Sequence, residues 1–130
     1  MRKLILFIFL VSLLFSVGCQ TKDQRQNYQN IKPDIAYEQL QKEKDIILLD
    51  VRTIEEYNEK HIPRSLLIPV EVLKEEVEEK IKDKEAKIFV YCRSGNRSAA
   101  AAKILAELGY TNVFNLGGIN DWKYDTESKI

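Results

Sequence analysis

Two short, uninterrupted apolar runs constrain this chain more than any other feature. Residues 46–49 read Ile-Ile-Leu-Leu and end at Asp50, and residues 88–91 read Ile-Phe-Val-Tyr and end at Cys92. Successive side chains of a strand point to opposite faces, so a run apolar at every position suits a strand buried on both faces. Residues 66–68 and 112–115 are shorter strand candidates, and residues 28–32 are a candidate edge strand. Helical patterns fill the intervals. Pro33 and Asp34 open one with Ala36 and Leu40 on a face, and Thr53 with Glu56 forms a capping box for a second. Val70, Leu73, Val77 and Ile81 stripe a third, whose remaining charged faces are solvated. Ser98 is read as opening the fourth, with Ile104, Leu105 and Leu108 as its core stripe and Gly109 at its C-terminal cap. Strand and helix in alternation predict an α/β fold, a central parallel β-sheet flanked by helices on both faces.

The N-terminus follows a different logic. Arg2 and Lys3 precede fifteen uncharged residues, Leu4 through Gly18, and then come Cys19 and the polar stretch QTKDQRQNYQN. A helix of that length spans roughly 22 Å at about 1.5 Å per residue, short of a roughly 30 Å hydrocarbon core. An export signal therefore fits better than a permanent spanning helix. Ser16-Val17-Gly18-Cys19 resembles a bacterial lipobox, with Ser16 where leucine is usual. That resemblance implies a signal peptide over residues 1–18, a diacylglycerol on Cys19, and a polar tether over residues 19–30 holding a domain at residues 31–130. The expected location is outside the cytoplasm, lipid-anchored to a bacterial membrane on its periplasmic or outer face.

Charge and cysteine usage exclude several function classes. Twenty basic residues balance twenty acidic ones, and loss of Arg2 and Lys3 with the signal leaves 18 against 20, a formal charge of −2. No broad basic field exists for nucleic acid. Two cysteines are too few for a disulfide framework or a cysteine zinc site, so neither metal nor cofactor is expected.

The chemistry concentrates in Val90-Tyr91-Cys92-Arg93-Ser94-Gly95-Asn96-Arg97-Ser98, which runs from a buried strand through a loop into an Ala-rich helix. Ligands of open parallel sheets bind at the carboxyl ends of the strands, where Cys92 stands. Gly95 permits the turn that lets amides of Arg93 to Ser98 curl around the sulfur, and the helix aims its positive end at the same place. Such an anion cradle, with Arg93 and Arg97 nearby, favours thiolate over thiol.

LLDVRTIEEYNEKHIPRSLLIP followed by IFVYCRSGNRSAAAAKILAELGYTNVFNLGGINDW resembles a single-domain rhodanese, over about residues 31 to 124. The elements that carry the likeness are Asp50-Val51-Arg52, Glu55-Glu56-Tyr57, His61-Ile62-Pro63, the Cys92 loop, and Gly117-Gly118 followed by Trp122. The resemblance implies a sulfurtransferase in which Cys92 carries sulfane sulfur as a persulfide. Sulfur would come from a small donor anion such as thiosulfate and pass to a thiol or to cyanide, with the protein a monomer. Four residues separate Cys92 from Arg97, one fewer than in the related phosphatase and arsenate-reductase loops. A tighter amide ring suits a terminal sulfur better than a phosphate. Arg97 is expected to brace the loop or the bound anion, and Arg93 to meet the donor at the rim. Asp50 and Arg52 read as structural support, in a buried hydrogen-bonded ion pair with Glu56 or a loop amide that orients the loops around the site. His61, the only histidine, reads as pinning a turn, and Trp122 as a core or lid residue. Lys60 and Arg64 stand where the family often has glycine, which bears on acceptor choice.

Two further classes remain open at this level. One is an anion-binding or sensory module using the same cradle without turnover. The other is a thiol redox protein, which would need an external resolving thiol because lipidation of Cys19 leaves Cys92 as the lone free cysteine.

Overall fold

A computed structural model describes residues 27–130; the stretch expected to be a signal, Cys19 and most of the stretch expected to be a tether lie outside the described residues. In chain order the elements are β1 (Gln29–Asn30), α1 (Pro33–Lys42), β2 (Ile47–Asp50), α2 (Ile54–Glu59), β3 (Leu66–Leu67), α3 (Leu73–Lys80), β4 (Ile88–Cys92), α4 (Asn96–Glu107) and β5 (Val113–Gly118). Short 3-10 turns at Val70–Val72 and Ile119–Asp121 precede α3 and follow β5. The five strands form one sheet in the order β1-β5-β4-β2-β3, with every pairing parallel.

The strand order explains the layering. From β1 the chain crosses to β2 in one direction, and from β3 it returns through β4 to β5 in the other. Right-handed crossovers in opposite directions put their helices on opposite faces. The side chains agree: Leu49, Val51, Ile88 and Val90 pack with Leu73 and Val77 of α3 and Ala101, Ala102 and Leu105 of α4. Leu48, Phe89 and Tyr91 turn the other way, toward Ala36 and Leu40 of α1 and toward Ile62 and Leu116. Neighbours β2 and β4 send their outgoing loops in opposite directions along the sheet, to β3 and to β5, which opens a crevice between those loops.

Local signals set the helix ends. Pro33 occupies the first turn of α1, where a missing N–H costs nothing. Thr53 Oγ1 accepts from the Glu56 N–H at 3.2 Å and Glu56 Oε1 accepts from the Thr53 N–H at 3.4 Å, completing the capping box. At the end of α4, Gly109 adopts φ +96°, its N–H donates to Ala106 and the Tyr110 N–H donates to Leu105, a Schellman closure with Tyr110 buried behind it.

Three boundaries differ from the pattern reading. Helix α4 starts at Asn96 rather than Ser98, because Gly95 at φ +112° is the N-cap and Ser98 already lies in the first turn. The third helical stripe is broken, with Val70 in a 3-10 turn and only Leu73 onward in α-helix. The last strand runs on to Gly118 because a bulge at Leu116 shifts its register: Val90 pairs with Asn115, but Tyr91 pairs with Gly117 and Cys92 with Gly118.

Candidate active site

Cys92 ends β4 with no exposed surface, and its side chain lies on the α3/α4 face of the sheet. Gly95 turns the chain back over it through a left-handed conformation that side chains rarely adopt, and the Gly95 N–H donates to Cys92 Sγ at 3.0 Å. Burial pushes the thiol pKa up. The Ser98 hydroxyl and the amides of Ser98, Gly95 and Ser94 pull it down further than burial raises it, so the net shift favours thiolate.

A glycine holds the loop from beneath. A Cβ added to Gly118 would stand 2.3 Å from the Arg93 carbonyl oxygen and 2.7 Å from Ser94 Cα, both backbone atoms. The loop therefore rests directly on β5, and the bulge brings that glycine opposite Cys92. Asn120 N–H donates to the Arg93 carbonyl at 3.2 Å, and the Ser98 hydroxyl lies 2.9 Å from the Gly95 carbonyl and 3.3 Å from that of Gly117, either of which can accept its one hydrogen.

Arg97 does not point a free guanidinium at the cradle. Its two terminal nitrogens donate to Glu56 Oε1 at 2.7 Å and Oε2 at 3.0 Å, tying the first turn of α4 to the capping box of α2. Those hydrogen bonds from Arg97 hold the Glu56 carboxyl down to about 2 against its partial burial. The bracing half of the Arg97 expectation thus has a named partner. Arg52 takes a different partner from the one weighed in the sequence: it pairs with Asp50, not with Glu56. The Arg52 backbone N–H and Nε donate to Asp50 Oδ1 at 2.9 and 3.0 Å, and a terminal guanidinium nitrogen donates to Oδ2 at 2.7 Å. Another bond of 2.6 Å runs to the Lys60 carbonyl, so this buried pair holds the far end of α2. Burial would lower the Arg52 pKa, and the Asp50 carboxylate more than offsets it.

The remaining sequence-selected residues separate into rim and frame. Arg93, Ser94 and Asn96 are exposed. His61 is buried, its ring stacked on Tyr57 at 3.9 Å between centroids. His61 Nδ1 lies 2.8 Å from the Tyr57 carbonyl, which can only accept, so Nδ1 carries the hydrogen. Its Nε2 faces Glu127 at 3.5 Å. Nδ1 thus anchors the ring to the end of α2, and the His61 backbone exchanges two hydrogen bonds of 2.8 Å with Glu127, holding the C-terminal segment alongside. Trp122 is half-buried and packs edge-on against Tyr37 of α1 and Tyr124.

Glu56 is the site residue that pattern reading placed incompletely. The capping box identifies it, but its pairing with Arg97 spans 41 positions and needs the fold. Gly118 was visible only as half of a double glycine, since which of two glycines meets the loop depends on the bulge.

The chain is similar in sequence and in fold to known proteins. The rhodanese-like domain family matches residues 32–125. Thiosulfate sulfurtransferase PspE of Escherichia coli is 40% identical over 73 residues, covering 56% of this chain and 70% of that protein. Thiosulfate sulfurtransferase GlpE of Coxiella burnetii is 38% identical over 97 residues, covering 74% of this chain and 88% of that protein. Among solved structures, a rhodanese-related protein from Thermoplasma volcanium superposes with a TM-score of 0.66 at 36% identity, covering 77% of this chain and 98% of the other. An E. coli rhodanese with anions gives a TM-score of 0.59 at 33% identity, covering 64% and 98%.

Proposed function

The chain belongs to the rhodanese-like family and is a rhodanese-type sulfurtransferase; from that premise we propose that Cys92 is its sulfur carrier. The observation that carries the proposal is the amide ring on the Cys92 sulfur, with the Gly95 N–H at 3.0 Å. In the loading step the thiolate attacks the sulfane sulfur of a donor such as thiosulfate. The donor's S–S bond breaks and sulfite leaves with the electron pair. The product is a Cys92 persulfide, whose outer sulfur stands about 2.05 Å beyond Sγ. That extension answers the burial of Cys92, because the cargo rather than the carrier atom reaches toward solvent. Loop amides stabilise the negative charge on the sulfur as they do on the thiolate. In the unloading step a thiol, or cyanide in an assay, takes the outer sulfur, and the bonding electrons return to Cys92 Sγ.

Intact mass of the protein after thiosulfate treatment tests this. The expected result is a gain of one sulfur on wild type, absent in Cys92→Ser and reversed by cyanide with release of thiocyanate. Loading retained in Cys92→Ser would overturn it.

The proposal extends to location. Residues 1–18 act as a lipoprotein signal and Cys19 carries the lipid, supported by the charged, apolar, small-residue order that ends at Gly18-Cys19. Metabolic labelling with a radioactive fatty acid should mark wild type and not Cys19→Ser. Equal labelling of both would refute it.

A further inference from the structure

Nothing in the apolar pattern calls for the bulge in β5. Phe114 and Leu116 pack toward the α1 face of the sheet, as Tyr91 of β4 does. Strict alternation would set Leu116 beside Tyr91 and Gly117 beside Cys92, with each apolar side chain still on its own face. Apolar burial therefore does not choose between that plain register and the observed one, and bulges are rare between parallel strands. A local device must hold this one in place.

Asn115 supplies it. Its side-chain oxygen Oδ1 accepts the Gly117 N–H at 3.0 Å, an Asx turn folded inside a strand. The turn leaves Leu116 as the extra residue and carries Gly117 in a left-handed conformation, φ +92°. A Cβ on Gly117 would meet nothing within 4 Å, so that glycine answers to the turn and not to crowding. The Asn115 backbone is fixed independently, paired with Val90 on one side and accepting the Ile31 N–H at 3.0 Å on the other. The consequence reaches the sulfur in one step. Gly118 arrives opposite Cys92, with the Arg93 and Ser94 backbone where its side chain would stand, and the Gly117 carbonyl lies 3.3 Å from the Ser98 hydroxyl.

We infer, resting on the sulfur-carrier reading of Cys92, that Asn115 is a positioning residue for sulfur transfer. It acts through the register of β5. Without its acceptor the strand slips by one residue toward the plain ladder, Gly117 replaces Gly118 beneath the loop, and the amides around Cys92 Sγ lose their placement.

The test uses full-length protein carrying Asn115→Leu, which removes the acceptor at similar size, or Asn115→Asp, which keeps it. Cross-strand NOEs in solution NMR should place Gly118 beside Cys92 in wild type and in Asn115→Asp, and Gly117 beside Cys92 in a large share of Asn115→Leu molecules. In Asn115→Leu the midpoint of the Cys92 alkylation rate against pH should rise. Its thiosulfate loading should slow about tenfold, the scale of leaving one buried donor unpaired, and Asn115→Asp should restore it. The loading penalty of Gly118→Ala should shrink in the Asn115→Leu background, because Gly118 no longer lies under Arg93. Asn115→Ala removes the acceptor without adding bulk and takes the same measurements should the leucine variant not fold. A wild-type register and midpoint in the variants lacking the acceptor overturn the inference, whether or not thermal stability falls. So does a slipped register that Asn115→Asp shares. Register and midpoint are read with no sulfur bound, so a wild type that takes up none while both respond to Asn115→Leu counts against the carrier reading alone.

Discussion

Glu56 joins two helices that are 41 residues apart at this contact: its carboxylate closes the capping box of α2 and accepts two hydrogen bonds, at 2.7 and 3.0 Å, from Arg97 in the first turn of α4. The carboxyl pKa falls from its ordinary 4.5 to about 2 because Arg97 donates to it. A depressed folded-state value contributes stability that is fully present above pH 4.5 and is lost as pH falls toward 2. At this partly open rim the contribution is on the order of 1–2 kcal/mol after solvent screening. Urea unfolding of wild type should lose this stability between pH 5 and 2, with Glu56→Gln flatter across the same window. Parallel curves for the two proteins would refute the assignment.

Ser98 is expected to set the acidity of Cys92. Its hydroxyl and amide counter the burial that would otherwise favour the neutral thiol. Ser98→Ala should move the midpoint of the alkylation rate against pH to higher values. The hydroxyl has one hydrogen and the Gly95 carbonyl lies 2.9 Å from it, so the sulfur holds only a share of that bond; the midpoint should move up modestly, and the rate at pH values below it should fall in proportion to the lost thiolate. An unmoved midpoint would assign the depression to the loop amides alone.

Gly118 should tolerate no side chain, although its own backbone is unremarkable for any residue, at φ −111°. The obstacle is the Arg93 carbonyl, 2.3 Å from where a Cβ would stand. Gly118→Ala is expected to shift the loop, reduce sulfur transfer at least a hundredfold and cost about 1–3 kcal/mol of stability. Gly109→Ala is the matched control. Its Cβ meets nothing within 4 Å but its φ of +96° is strained, so it should cost about 1 kcal/mol and leave transfer intact. Thermal melts paired with turnover measurements separate the two effects.

Asp50 neutralises an arginine that is only 4% exposed. Removing that charge with Asp50→Asn leaves the guanidinium buried without its counter-ion, a loss of about 3–5 kcal/mol. Asp50→Asn combined with Arg52→Met should recover part of it. A double mutant no more stable than the single one would show that the pair does not act as a unit.

Much of this architecture is legible in the sequence, for physical reasons that differ by element. Residues 46–49 and 88–91 are apolar throughout because both faces of their strands are covered, so they announce parallel strands without any alignment. The capping box at Thr53 and the glycine at position 109 act over three or four residues and are read just as directly. The start of α4 was misplaced because a serine imitates a cap while the left-handed Gly95 performs that role. Pairings across the chain were not legible. Glu56 had both Arg52 and Arg97 available, and only the fold shows that Asp50 already holds the first. The bulge at Leu116 left no mark in the hydrophobic pattern, yet it decides that Gly118 and not Gly117 lies under the loop.

Strand β1 is two residues long and pairs with β5 alone, through Gln29 and Phe114 and through Asn30 and Asn115, with one further bond from the Ile31 N–H to Asn115. Any tension on the chain ahead of Gln29 is borne first by this brief ladder. A ladder that short yields long before β5, which is locked against β4 on its other side. Force on that end is expected to peel β1 away, together with the packing of Tyr28 and Ile31, while the glycine floor of the Cys92 loop stays in register with β4.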